Sequence, residues 1–229
     1  MNYKWHFNEP ERDSQEKATT LAKELGINPT LGKLLLDRGI TTSNEARKFF
    51  RPQLTDLLDP FLFRDMAVAI KRLNDALGRK ERILVYGDYD VDGVTAVALV
   101  YKFLKQYEEG YGVSRQGIDF AEETGVKLII VLDCGIKAID EIQYAKDKGI
   151  DFIICDHHVP DDQLPPAVAI LNAKRTDATY PYGDLSGCGV GFKLIQAFAK
   201  NNGIPFSELT PLLDLSAASS ASDIVPTMG

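Results

Sequence analysis

The sequence predicts an α/β fold. A parallel sheet with helices on both faces spans residues 83–229, preceded by a small helical segment over residues 1–82. Three observations predict it. Four unbroken apolar runs of strand length, ILVYG (83–87), LIIVL (128–132), FIIC (152–155) and AVAIL (167–171), suit strands buried on both faces. Helical stretches near 93–106, 114–124 and 138–148 separate them, and another near 187–201 follows the last, the alternation that right-handed crossovers produce. The length of 229 residues, 45% hydrophobic and 26% charged, fits one large domain or slightly more at about 150 residues per domain.

Each element has a local reason. Asp13 is placed to cap a helix over Ser14 to Leu25, with Glu16 at its third position, and Gly26, Asn28 and Pro29 break it. Leu31, Leu34, Leu35 and Arg38 run to a stop at Gly39, and Ser43 is placed to cap a short helix through Phe50. Met66, Ile70, Leu73 and Leu77 repeat at the spacing of one buried helical face, with Asp65 at the expected cap. From Ile83 the strand and helix runs alternate, with one break. YEEGYGVSRQG (107–117) leads from one helix straight into the next, so a returning strand is lacking and residues are expected to be missing near 106–109.

Composition excludes several classes. The longest apolar run is six residues, Ala96 to Tyr101, against the ~20 that span a bilayer. No basic-then-apolar leader opens the chain, so no secretory signal is expected. Cys134, Cys155 and Cys188 lie far apart, which argues against a disulfide framework or zinc ribbon and suits a reducing cytoplasm. Net charge is −7, unevenly spread: residues 1–82 carry 15 basic and 12 acidic side chains, residues 83–229 carry 11 and 21. An acidic body serves solubility, or else gathers carboxylates around divalent cations.

The motifs favour the second reading. Three strand runs end in ionisable residues: GDYDVDG gives Asp88, Asp90 and Asp92, LDCG gives Asp133, and CDHH gives Asp156, His157 and His158. Ligands of parallel sheets bind beyond the carboxyl ends of the strands. These groups, spread over about 70 residues, are therefore expected on one rim. Singly, each has a plain alternative: Asp-rich turns cap their own backbone, a lone Asp caps a helix, and buried cysteines pack as small apolar groups. A calcium loop counted from Asp88 would put Leu99 where a bidentate Glu is required, so that reading fails. Joint occurrence at successive strand ends points to a metal centre. Carboxylates with one or two imidazoles suit Mn²⁺ or Mg²⁺ better than zinc. A bridged pair of such ions makes phosphoester hydrolysis the leading reaction class.

GDYDVDG, LDCG, CDHH and the late ASDIVP together resemble the four signature motifs of the DHH phosphoesterase family, and most closely its RecJ exonuclease branch. LLLDRGITTSNEARKFF, LLDPFLFRDMAVAIKRL, DDQLPPAVAILNAKR and SGCGVGFK extend the resemblance over nearly the whole chain. The resemblance implies roles residue by residue. Asp90 and Asp92 match ligands of one ion each, Asp133 the bridging carboxylate, and His157 and Asp223 ligands of the second ion. His158 matches a contact to the scissile phosphate, with Asp88 and Asp156 orienting the ligands around it. Ser186, Gly187 and Gly189, opening a helix, are candidates to present N–H groups to a phosphate. Lys174 and Arg175 are further candidate phosphate contacts.

The implied function is a two-metal 5′→3′ exonuclease on single-stranded DNA in repair and recombination, with Mn²⁺ before Mg²⁺. Single-strand-binding protein and a helicase are implied as partners, and no membrane. The rivals are a phosphodiesterase or phosphatase on short or cyclic nucleotides, and an inactive DHH scaffold. Two departures stand out. Tyr86 occupies a position where many DHH enzymes have histidine, so a weaker first site is expected. SAASSAS before Asp223 is more polar than the apolar helix expected there. The chain ends six residues beyond Asp223, where the resemblance implies a DHH-associated domain and an OB-fold. Without them weak DNA binding is expected.

Overall fold

Five consecutive aliphatic side chains, Leu128 to Leu132, need cover on both faces of the strand that carries them. The computed structural model, which describes residues 12–105 and 115–226, supplies it. Strands β1 (Arg82–Gly87), β2 (Val126–Leu132), β3 (Asp151–Cys155) and β4 (Ala169–Leu171) form one parallel sheet in that order. Because side chains alternate along a strand, Leu84, Ile129, Val131, Phe152, Ile154 and Ile170 form one core. Ile118 and Ala121 of α6 (Arg115–Glu123) and Ile142 and Ala145 of α7 (Ile139–Asp147) complete it. The opposite face is covered by α4 (Met66–Gly78), α5 (Val91–Leu104) and α8 (Gly187–Asn201). The last long element is α9 (Leu213–Ser222), packed on α5 and α8. A parallel sheet with helices on both faces is thus observed.

The register places the site. Gly87 pairs with Leu132, Leu132 with Cys155 and Cys155 with Leu171. All four strands therefore end level, and Asp88, Asp133, Asp156 and Asn172 follow on one rim.

The chain divides into two compact units, Met1–Leu58 and Asp59–Gly229. The first contains α1 (Arg12–Leu25), α2 (Pro29–Leu36) and α3 (Ser43–Phe50), with Ala18, Leu21, Ala22, Leu35 and Ala46 buried. Its caps differ from expectation. Asp13 lies inside α1, and Thr42, not Ser43, caps α3 in a reciprocal box with Glu45. The boundary also falls earlier than the predicted 82/83. Met66, Ala69, Ile70, Leu73 and Ala76 bury one face of α4, which packs on β4 and α8, so periodicity identifies the helix but not the layer it joins.

Asp65, expected as the α4 cap, makes no cap bond. Its Oδ2 accepts from the Ile170 N–H (3.1 Å) and from Arg175 Nη1 (2.6 Å), which also donates to the Ile170 carbonyl (2.8 Å). The pair closes the outer edge of short β4 with side chains where no further strand lies among the described residues. The expected gap near 106–109 lies outside the described residues.

Candidate metal centre

Asp133 is the first residue past β2, with φ of 61°, a left-handed conformation unusual for a residue bearing a Cβ. Its N–H still donates to the Cys155 carbonyl at 2.8 Å, so the ladder holds it while the side chain turns inward. It is 2% exposed, and its Oδ1 accepts no hydrogen bond among the described residues. Burial, then the neighbouring Asp92 and Asp90 charges, push its pKa up to about 6, against the opposing pull of His157. A buried carboxylate oxygen without a donor demands a proton or a cation.

His157 is arranged to accept the same cation. Its Nδ1 lies 3.0 Å from the Leu185 carbonyl, which can only accept, so the neutral ring carries its proton on Nδ1. The lone pair on Nε2 then faces Asp133 Oδ1 at 3.2 Å and Asp92 Oδ2 at 3.8 Å. Burial pulls the His157 pKa down, but Asp133, Asp223 and Asp92 outweigh it and leave it raised. The cavity between these groups favours positive charge.

Asp92 sits in the first turn of α5 yet is buried. It accepts from the Gly187 N–H (2.6 Å), the Cys188 N–H (2.7 Å) and the Ser219 hydroxyl (2.7 Å). The anion seated at the α8 N-terminus is therefore this chain's own carboxylate. That corrects the reading of Ser186, Gly187 and Gly189 as phosphate donors. Ser186 is the N-cap, accepting from the Gly189 N–H at 3.1 Å. Gly187 is glycine because a Cβ there would lie 2.5 Å from Asp133 Oδ1.

Two triads offer metal-ligating atoms within 4.8 Å of one another: Asp92, His157 and Asp223, and Asp133, His157 and His158. Asp223 closes α9, with Oδ2 3.6 Å from His157 Nδ1. Asp90 stands at the edge of this cluster. It caps α5 through the Gly93 N–H (2.9 Å), is exposed, and joins neither triad, although its charge reaches Asp133. Oxygen-rich donors with imidazole fit Mn²⁺ or Mg²⁺.

The surrounding residues divide by what they touch. Asp156 is fully buried and accepts from the N–H groups of Ile136, His157 and His158 and from His158 Nδ1 at 2.7 Å. It orients the histidine pair and engages Nδ1 of the half-exposed His158, so that Nε2 has no hydrogen-bond partner among the described residues. Asp88 accepts from the Tyr89 N–H in its own loop. Tyr86 packs against the apolar core beneath α7 and supplies no ring nitrogen. Lys174 is exposed at the surface. Arg175, expected at a phosphate, is held by Asp65, Asp177 and the Ile170 carbonyl, its side chain 8% exposed, which corrects that reading. Sequence reasoning missed Ser219. The polar run before Asp223 was its signal, and one helical turn sets Ser219 on the same face as Asp223.

The DHH family, N-terminal domain, matches residues 82–219. The chain belongs to the DHH family. It is 38% identical, over 95% of its length, to the single-stranded-DNA-specific exonuclease RecJ of Bacillus subtilis (strain 168). Among solved structures it is similar to RecJ in complex with Mn²⁺ from Thermus thermophilus, with a TM-score of 0.77, 25% identity and 96% of this chain covered. It is also similar to an exonuclease RecJ bound to manganese, with a TM-score of 0.63, 29% identity and 73% covered. The chain spans 28% of the Bacillus protein and 32% and 45% of the two solved chains. The DHH assignment and the fold expected from the sequence both hold.

Proposed function

We propose that this chain is the catalytic core of a metal-dependent phosphodiesterase, a 5′→3′ exonuclease on single-stranded DNA that uses two divalent cations, Mn²⁺ in preference to Mg²⁺. The supporting observation is that Asp92, Asp133 and Asp223 gather around His157, with the buried Asp133 Oδ1 accepting no hydrogen bond among the described residues. The donors on this rim belong to a chain similar to manganese-bound RecJ. When bound, such ions make a water nucleophilic near neutral pH and clamp the attacking and leaving oxygens at phosphorus. Asp90, Asp92, Asp133, His157 and Asp223 are the proposed ligands. Asp156 fixes His158, whose Nε2 meets the charge that develops on phosphate. A role in repair and recombination, partnership with single-strand-binding protein and a helicase, and a cytoplasmic location with three free cysteines belong to the same reading. No helix among the described residues is long and apolar enough to cross a membrane.

The test is Mn²⁺-dependent hydrolysis of single-stranded DNA labelled at either end, set against duplex, cyclic dinucleotides and short linear nucleotides. Release of the 5′ label first, as mononucleotide, is expected. Turnover confined to cyclic or very short nucleotides would favour the phosphodiesterase alternative, and no Mn²⁺-dependent turnover of any substrate the scaffold.

A further inference from the structure

Asp92 must offer one lone pair toward His157 while remaining buried, and the hydrogen bonds around it are distributed unequally. Oδ1 accepts from the Cys188 N–H and the Ser219 hydroxyl, whereas Oδ2, the oxygen facing His157, accepts only from the Gly187 N–H. Ser219 is fully buried and Ser186 nearly so, and their hydroxyl oxygens lie 2.5 Å apart. The direction of every hydrogen in this chain of bonds follows from its ends. A carboxylate only accepts, so the Ser219 hydroxyl donates to Asp92. Its oxygen then receives the Ser186 hydrogen, and Ser186 receives the Gly189 N–H.

We propose that Ser186 and Ser219 form a one-way hydroxyl relay, from the first turn of α8 to Asp92, that locks the carboxylate with Oδ2 presented to the metal. Ser219 is the positioning residue, and Ser186 acts on it in addition to capping α8. Each bond polarises the next, and loading Oδ1 with two donors prevents rotation that would turn Oδ2 away. The relay also accounts for the polar run before Asp223: a hydroxyl is needed at position 219, one turn before the ligand that ends α9. The inference rests on the reading of Asp92 as a ligand of a divalent cation.

Calorimetric titration of Mn²⁺ into the full chain tests it, with thermal unfolding to verify the fold of each variant. Ser219→Ala should weaken Mn²⁺ binding about tenfold, the scale on which groups that orient metal ligands act. Ser186→Ala should weaken it less. The double variant should lose less than the sum of the two single losses, because the part of the Ser186 effect that passes through Ser219 is already gone. The electron paramagnetic resonance spectrum of bound Mn²⁺ should change in Ser219→Ala, since a reoriented carboxylate alters the symmetry of the ion's surroundings. Should Ser219→Ala fail to fold, Ser219→Cys keeps a weaker donor and should give an intermediate loss. Wild-type affinity in a folded Ser219→Ala or Ser219→Cys variant overturns the relay. Additive losses in the double variant overturn it too, by reducing Ser186 to a helix cap. Absence of Mn²⁺ binding in the unsubstituted chain removes the metal assignment itself and the relay with it.

Discussion

Asp133 carries an unfavourable charge until a cation arrives, and that sets its behaviour with pH. Its pKa of about 6 in the folded chain stands above the ordinary 3.8. Between those values the metal-free folded state binds more protons than the unfolded state. Stability from this group is therefore fully present below about pH 3.8 and lost as pH rises through about 6. Asp133→Asn should stabilise the metal-free chain near neutral pH, by on the order of 3 kcal/mol for a shift of about two units, and should remove the stabilisation that Mn²⁺ gives. Thermal melts with chelator and with Mn²⁺ read both effects, and an undiminished Mn²⁺ response would take Asp133 out of the ligand set. His158 gives the opposite pattern. It is anchored by Asp156 and half exposed, so His158→Ala should keep Mn²⁺ affinity while kcat falls on the order of 100-fold, as for loss of one transition-state donor. Loss of an ion would show that His158 is a ligand instead.

At the scale of elements, α8 is positioned by what its first turn touches. An alanine at position 187 would set its Cβ 2.5 Å from both Cβ and Oδ1 of Asp133. The helix start must then retreat and withdraw its N–H donors from Asp92. Gly187→Ala should lose about 1–3 kcal/mol of stability, the scale of overpacking, and weaken Mn²⁺ binding more than Ser219→Ala does. The same change at Gly78, where nothing lies within 4 Å, should be neutral or slightly stabilising. Wild-type metal affinity in Gly187→Ala would show that the contact is not limiting. The four strands and the helices between them are legible in the sequence, because unbroken aliphatic runs and helical spacing are local signals. The level strand ends bring the rim carboxylates together as the motifs imply. What escapes is long-range pairing. Arg175 meets Asp65 across 110 positions, and Ser219 meets Asp92 across 127, and no local pattern reports such partners. The choice between Thr42 and Ser43 as cap depends on a backbone angle that either residue accepts. The glycines of SGCGVGFK suggest a phosphate cradle because helix N-termini attract anions, a correct principle applied to the wrong anion.

For the molecule as a whole, charge opposes binding of the proposed substrate. Residues 83–229 carry 11 basic and 21 acidic side chains, and two divalent ions would offset only four of those ten excess charges. Several of those eleven cations are already engaged: Arg175 with Asp65 and Asp177, Lys148 with Asp119 and Glu122, Lys137 with Asp161, Lys200 with Asp59. Affinity for single strands grows with the number of phosphates neutralised, Z, and log K falls with log salt at a slope of about −0.7Z. A chain whose residues 83–229 carry this acidic excess should therefore bind single-stranded DNA weakly, in the micromolar range or above, with a slope shallower than about −2, or fewer than about three phosphates. Fluorescence anisotropy of a labelled oligonucleotide in Mn²⁺, across a salt series, measures both quantities. Weak binding with a shallow slope, together with cleavage that persists at high substrate concentration, would mean that the metal-bound phosphate supplies most of the recognition in this chain. Submicromolar affinity with a steep slope would instead require a basic track formed by side chains other than these paired ones, and would overturn the electrostatic argument.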